Sequence, residues 1–118
     1  MKLKPEIEAF NEIKTVLDNM QLGDSLLDVR LAVEELFVNI VSYSKCTFID
    51  FTAEFKDGVM TIELSDNGLP CDPTVKPPHE YDDELTLGGL GIDLACALMS
   101  KVVYKRRKGF NHLMLQKY

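Results

Sequence analysis

The spacing of apolar residues changes along this chain, and each change marks an element. Between Pro5 and Met20, the residues Ile7, Phe10, Ile13, Lys14, Leu17 and Met20 recur at helical spacing, with a proline at the start and Gly23 just past the end. That pattern predicts a first helix. Asp24 or Ser25 can cap a second helix running to about Ser44, almost wholly apolar from Val29 to Val41 and therefore largely buried. From Thr47 to Phe55 the period drops to two: Phe48, Asp50, Thr52 and Glu54 alternate with Ile49, Phe51, Ala53 and Phe55, a strand pattern. Lys56-Asp57-Gly58 supplies a hairpin turn, and Val59 to Ser65 the returning strand with Met60, Ile62 and Leu64 on one face. A third helix over about Ile92–Met99 precedes a last hairpin, Val102–Arg107 and Asn111–Lys117, around Lys108-Gly109. The order helix, helix, strand, strand, long loop, helix, strand, strand predicts an α+β fold in a single domain spanning 1–118. Its architecture is a two-layer sandwich with helices on one face of a mostly antiparallel sheet. No strand is expected before the first helix, because Met1 begins almost directly at it.

Composition narrows the class without naming it. At 118 residues, 46% hydrophobic and 27% charged, the chain is in the globular range. A net charge of −6 argues against a nucleic-acid partner. No apolar run reaches the roughly 20 residues of a membrane span, and the start of the chain carries no secretory pattern. Cys46, Cys71 and Cys96 are far apart and in no metal-binding spacing, as expected of reduced thiols in a cytoplasmic protein.

Three places carry candidate chemistry. On the second helix Glu35 and Asn39 lie four residues apart amid Leu31, Ala32, Leu36, Val38 and Ile40, with Asp28 and Ser42 or Tyr43 extending the stripe. Either the stripe faces solvent, or it lines a pocket in which an amide oxygen holds a hard cation such as Mg2+ and a carboxylate takes a proton from a hydroxyl. At the end of the fourth predicted element comes Asp66-Asn67-Gly68-Leu69-Pro70. This is an ordinary turn, or an aspartate placed to accept a hydrogen bond from an exocyclic amine, with Gly68 letting a base approach the backbone. Asp66 to Leu87 holds four of the five prolines and six acidic residues, a loop long enough to suggest function. Gly88-Gly89-Leu90-Gly91 closes that loop, either as a hinge or as an anion site where backbone N–H groups and a helix dipole converge.

Taken in order, Glu35-x-x-x-Asn39, Asp66-x-Gly68-x-Pro70-x-Asp72-Pro73 and Gly88-Gly89-Leu90-Gly91-Ile92 resemble the motifs of the Bergerat-fold ATPases. That superfamily includes gyrase, a heat-shock chaperone, histidine kinases and mismatch-repair ATPases. The run Val33-Glu34-Glu35-Leu36-Phe37-Val38-Asn39-Ile40, the Pro-Cys-Asp-Pro ending and the closing Tyr104-x-Arg106-x-x-Gly109-x-Asn111-x-Leu113-x-Leu115 resemble its small bacterial anti-sigma-factor serine kinases. The resemblance covers about Leu26 to Lys117. It implies ATP and Mg2+ as ligands, Glu35 as general base and Asn39 as the Mg2+ ligand. It further implies Asp66 as acceptor for the adenine amino group beside Gly68 and Pro70, and Gly88, Gly89, Leu90 and Gly91 as the phosphate cradle. About Asp72–Leu87 would be a nucleotide lid. Asn111 stands where many relatives have a threonine near adenine. Tyr43 stands where relatives often carry histidine or another polar residue, and the lid has Lys76 and His79 but no arginine.

The function so implied is an ATP-binding anti-sigma regulator, a serine/threonine kinase acting on an antagonist protein, with a sigma factor as second partner and a homodimer as its assembly. The alternative is a nucleotide-gated binding module that sequesters a sigma factor or similar regulator. The basic run Lys105-Arg106-Arg107-Lys108 reads as a solvated hairpin turn or a docking patch for an acidic partner, and His112 as a surface residue. Met99 and Met114 stand at core spacing.

Overall fold

The computed structural model describes residues 1–70, 72 and 93–118. A short strand β1 (Lys2–Leu3) leads through a 3-10 turn (Ile7–Ala9) to α1 (Phe10–Asp18), and a second 3-10 turn (Gly23–Ser25) leads to α2 (Leu26–Tyr43). The hairpin β2 (Ile49–Lys56) and β3 (Val59–Asp66) follows, then helical residues 93–98, here α3, and the hairpin β4 (Lys101–Arg107) and β5 (Phe110–Lys117). The sheet order is β1-β2-β3-β5-β4, and every neighbouring pair is antiparallel. The fold is the expected α+β sandwich.

Two features depart from expectation. A strand does precede the first helix: Lys2 pairs with Asp50 and Leu3 with Ile49, and Phe51 N donates to Met1 O at 2.8 Å. Two residues are too short to show a period, so the pattern could not reveal it. Neither Asp24 nor Ser25 caps α2 by side chain; Ser25 already has helical backbone angles (φ −80°, ψ −13°), whereas a capping side chain needs an extended residue to reach the free N–H groups.

The core lies between α1, α2 and one face of the sheet. Ile13, Leu17, Val33, Leu36 and Phe37 are fully buried from the helical side, and Phe10 and Phe37 rings meet at 5.8 Å. Met60, Ile62 and Leu64 of β3 and Leu113 and Leu115 of β5 close it from below. Each such side chain contributes roughly 1.5–3 kcal/mol by leaving water. Both hairpin turns use the left-handed region, Asp57-Gly58 at φ 53° and 80° and Lys108-Gly109 at φ 53° and 82°. On the opposite face, Met114 sits half-buried across from Glu63 and Val103 instead of in the core, because it is out of phase with Leu113 and Leu115. Met99 is buried as expected. Among the described residues no helix is long and apolar enough to cross a membrane.

Candidate functional site

The inner face of β3 does not end in an apolar residue. The alternation Met60, Ile62, Leu64 continues to Asp66, which is only 2% exposed. On β5 the same phase runs Leu115, Leu113, Asn111, and Asn111 lies directly opposite Asp66. One end of the core-facing sheet surface is thereby made polar. A carboxylate there is costly unless donors meet it, and three do. Ser44 Oγ donates to Asp66 Oδ1 at 2.5 Å, Gly68 N at 2.9 Å and Asn111 Nδ2 at 3.0 Å. All three end on one oxygen. Among the described residues no hydrogen bond reaches Oδ2, and no fully buried side-chain polar atom is left without a partner, so Oδ2 is an open acceptor at the surface of the site.

The turn after β3 is fastened on every side. Leu69 N donates to Ser44 O at 2.7 Å, and Asn111 Nδ2 donates also to Leu69 O at 2.8 Å. Asn67 clasps Thr47, accepting from its N–H at 2.9 Å and donating to its hydroxyl at 2.7 Å. Arg106 Nη1 donates to Gly68 O at 2.8 Å, and the Tyr104 hydroxyl donates to Asn111 Oδ1. Gly68 is buried against Ser44: a Cβ built there would lie 1.8 Å from Ser44 Oγ and 2.2 Å from Ser44 O. Pro70 is exposed beyond the turn.

Ser44, fully buried, is the C-cap of α2, and its own N–H donates to Ile40 O at 2.9 Å. The helix that carries Glu35 and Asn39 therefore ends on the Asp66 carboxylate. Asn39 and Glu35 lie five and nine residues back, about 7 and about 13 Å along the axis at the helical rise. Both are half-buried, at the rim of the stripe formed by Val29, Ala32, Val33, Leu36, Phe37 and Ile40. They are neither part of the fully solvated face nor inside the core. Further along α2, Leu31 within the Val29–Val41 run is exposed at 36%, so the run is less buried than its composition predicts, and Leu27 just before it is exposed at 69%. Asp28 pairs with Lys117 at 3.5 Å.

Burial pushes the Cys46 thiol up from its ordinary value; the nearby Asp66 charge pushes the same way, and a hydrogen bond with the Ser44 side chain opposes them. Gly88, Gly89, Leu90, Gly91 and the lid beyond Asp72 lie outside the described residues. His112 is exposed, as expected, with Nδ1 3.1 Å from Ser65 Oγ. The sequence reading missed Ser44 altogether and read Arg106 as part of a solvated turn or a docking patch, neither of which places it on Gly68 O. Following the inner-face phase of β4 through Val102, Tyr104 and Arg106 would have placed the arginine beside Asn111, its register partner.

The sequence model of the histidine kinase-like ATPase domain matches residues 7–117, and the chain belongs to that family. It is an ATP-binding domain of the histidine kinase type. Among curated proteins it is similar to the serine/threonine-protein kinase BtrW of Bordetella bronchiseptica, with 33% identity over 92 residues, 72% of this chain. The chain spans 65% of that relative's length. Among solved structures it superposes on the Acinetobacter baumannii histidine kinase AdeS with a TM-score of 0.57 at 9% identity, over 99% of this chain and 66% of the other, a likeness of fold.

Proposed function

We propose that the chain is an ATP-dependent serine/threonine protein kinase of the anti-sigma type, acting on an antagonist protein and also engaging a sigma factor or similar regulator as a homodimer in the cytoplasm. One observation carries the nucleotide part: Asp66, with Oδ1 saturated by three donors and Oδ2 open, offers an acceptor and nothing else. An adenine amino group is a donor and fits it, with Gly68, whose N–H meets the same carboxylate, beside it and Pro70 as a further proposed contact. The similarity to BtrW, a protein named as a serine/threonine kinase, supports the choice of a protein hydroxyl as acceptor.

In this reading Asn39 would hold Mg2+ through its amide oxygen. Among the described residues there is no cluster of three or more His, Cys, Asp or Glu, so such a cation would draw its other ligands from phosphate and water, as Mg2+ commonly does. Its charge would neutralise the phosphate oxygens. Gly88, Gly89, Leu90 and Gly91 would bind the phosphates through backbone N–H groups, Asn111 would border the adenine, and Glu35 would take the proton from the incoming serine or threonine hydroxyl.

Radiolabelled ATP, the purified chain and a candidate antagonist protein make the test. Glu35→Ala should keep ATP affinity nearly intact while transfer falls by ~10²-fold or more. Asn39→Ala should lose both binding and transfer. A wild-type chain that transfers no phosphate, yet changes its partner affinity with ATP, is a nucleotide-gated binding module instead.

A further inference from the structure

The contacts around Asp66 do more than compensate its burial. A carboxylate can turn about its Cβ–Cγ bond, and a lone buried carboxylate would present either oxygen in a range of directions. Here Oδ1 receives a hydroxyl from the end of α2, a backbone N–H from its own turn and an amide from the neighbouring strand. These donors come from three separate segments of the fold, so no rotation keeps them all. The Asn111 amide is itself oriented: its NH2 faces two acceptors, Asp66 Oδ1 and Leu69 O, while the Tyr104 hydroxyl satisfies its oxygen. Of the three donors, Ser44 is the one whose hydroxyl can be removed without changing the turn or the strand. It is fully buried, and its backbone carbonyl holds Leu69 N independently of the side chain.

We propose that Ser44 is a positioning residue for base selection: its hydroxyl, with Asn111 braced by Tyr104 on the other side, locks Asp66 so that only Oδ2 meets the base, in one direction. This rests on Asp66 being the base acceptor. A locked, acceptor-only edge favours a purine with an amino group at position 6 and repels one with an oxygen there. Freed from Ser44, the carboxylate can tilt away from a carbonyl oxygen, and it also aims less well at an amine. The loss therefore falls on discrimination and not on affinity alone.

Calorimetric titration with ATP and with inosine triphosphate, which carries oxygen in place of the amino group, tests this on the full chain. Ser44→Ala should weaken ATP by roughly tenfold, the scale of one hydrogen bond to a charged group, and leave inosine triphosphate nearly unchanged, so that the ratio of the two affinities narrows. A merely structural serine would behave otherwise. Partial unfolding scales both affinities by the same folded fraction and leaves the ratio untouched. Tyr104→Phe, which keeps the ring packed against the core at a half-buried strand position, should narrow the ratio by about twofold to threefold through Asn111. An unchanged ratio in both variants overturns the proposal, even if both lower the melting temperature. Asp66→Asn separates this failure from failure of the underlying reading. Its amide can donate to the inosine oxygen, so the preference should collapse or invert; a wild-type ratio in that variant removes Asp66 from base recognition and the role of Ser44 with it.

Discussion

Gly58 and Gly68 stand at opposite ends of β3, each following an aspartate by one or two residues, and they are there for different physical reasons. Gly58 has φ +80° and nothing within 4 Å of where a Cβ would sit. Its value is backbone freedom, which the two-residue hairpin turn requires. Gly68 is described with no positive φ, but a Cβ there would collide with both the side chain and the carbonyl of Ser44. Its value is space. At one end of the strand a glycine lets the chain reverse; at the other, it lets the end of α2 press against a turn so that one serine reaches a buried carboxylate. In sequence both are simply aspartate and glycine in a turn.

The contrast can be broken most sharply at Gly68. Gly68→Ala must push Ser44 backbone, which no rotamer change relieves, so we expect about 1–3 kcal/mol or more of destabilisation together with a large loss of ATP affinity. Denaturant unfolding and calorimetry on the same sample would show it, and an unperturbed variant would mean that the contact yields easily. Gly58→Ala should cost roughly 1 kcal/mol through its left-handed backbone alone, with ATP affinity as in the wild type. A change in nucleotide binding there would erase the distinction between the two ends. Arg106→Ala removes a single exposed guanidinium from Gly68 O and should weaken ATP by only about twofold to fivefold, with stability changed by under about 1 kcal/mol.

The smallest effect is chemical. Burial holds the Cys46 and Cys96 thiols above their ordinary 9.0. The fold thus favours the protonated thiols; any stability they confer is complete below about pH 9 and is lost as pH rises through the raised values. Alkylation rates followed against pH should show midpoints above 9.0 for both. In Asp66→Asn the Cys46 midpoint should move down, since a neighbouring negative charge is gone, while that of Cys96 should stay. Equal behaviour of the two would deny that the carboxylate acts on Cys46.

Elements with a sustained period were legible in the sequence. The change from helical spacing in α2 to alternation in β2 and β3, and the aspartate-glycine turn between those strands, carried the layer architecture with little ambiguity. The two-residue β1 was not legible, because its only signature is a register with β2. Asp66 and Asn111 were legible as residues but not as a pair; what joins them is that each continues the buried phase of its own strand to the same end of the sheet. Ser44 carried no signal at all. A serine at the end of a helix is common, and its role exists only because Gly68 lets the turn after β3 come within reach.

Ser44 also fixes the C-terminal end of α2 against the turn after β3. The helix is bolted to the sheet at the point where the base would be read, while Glu35 stands about 13 Å out along the shaft. A tilt of roughly 5° about that fixed end would shift Glu35 by about 1 Å and leave Asp66 where it is, and a displacement of that size can change the rate of a chemical step by ~10²-fold. The leverage runs in one direction. On the proposed roles, a partner that leans on the outer part of the helix, where Leu27 and Leu31 are exposed, would move Glu35 more than it moves Asp66.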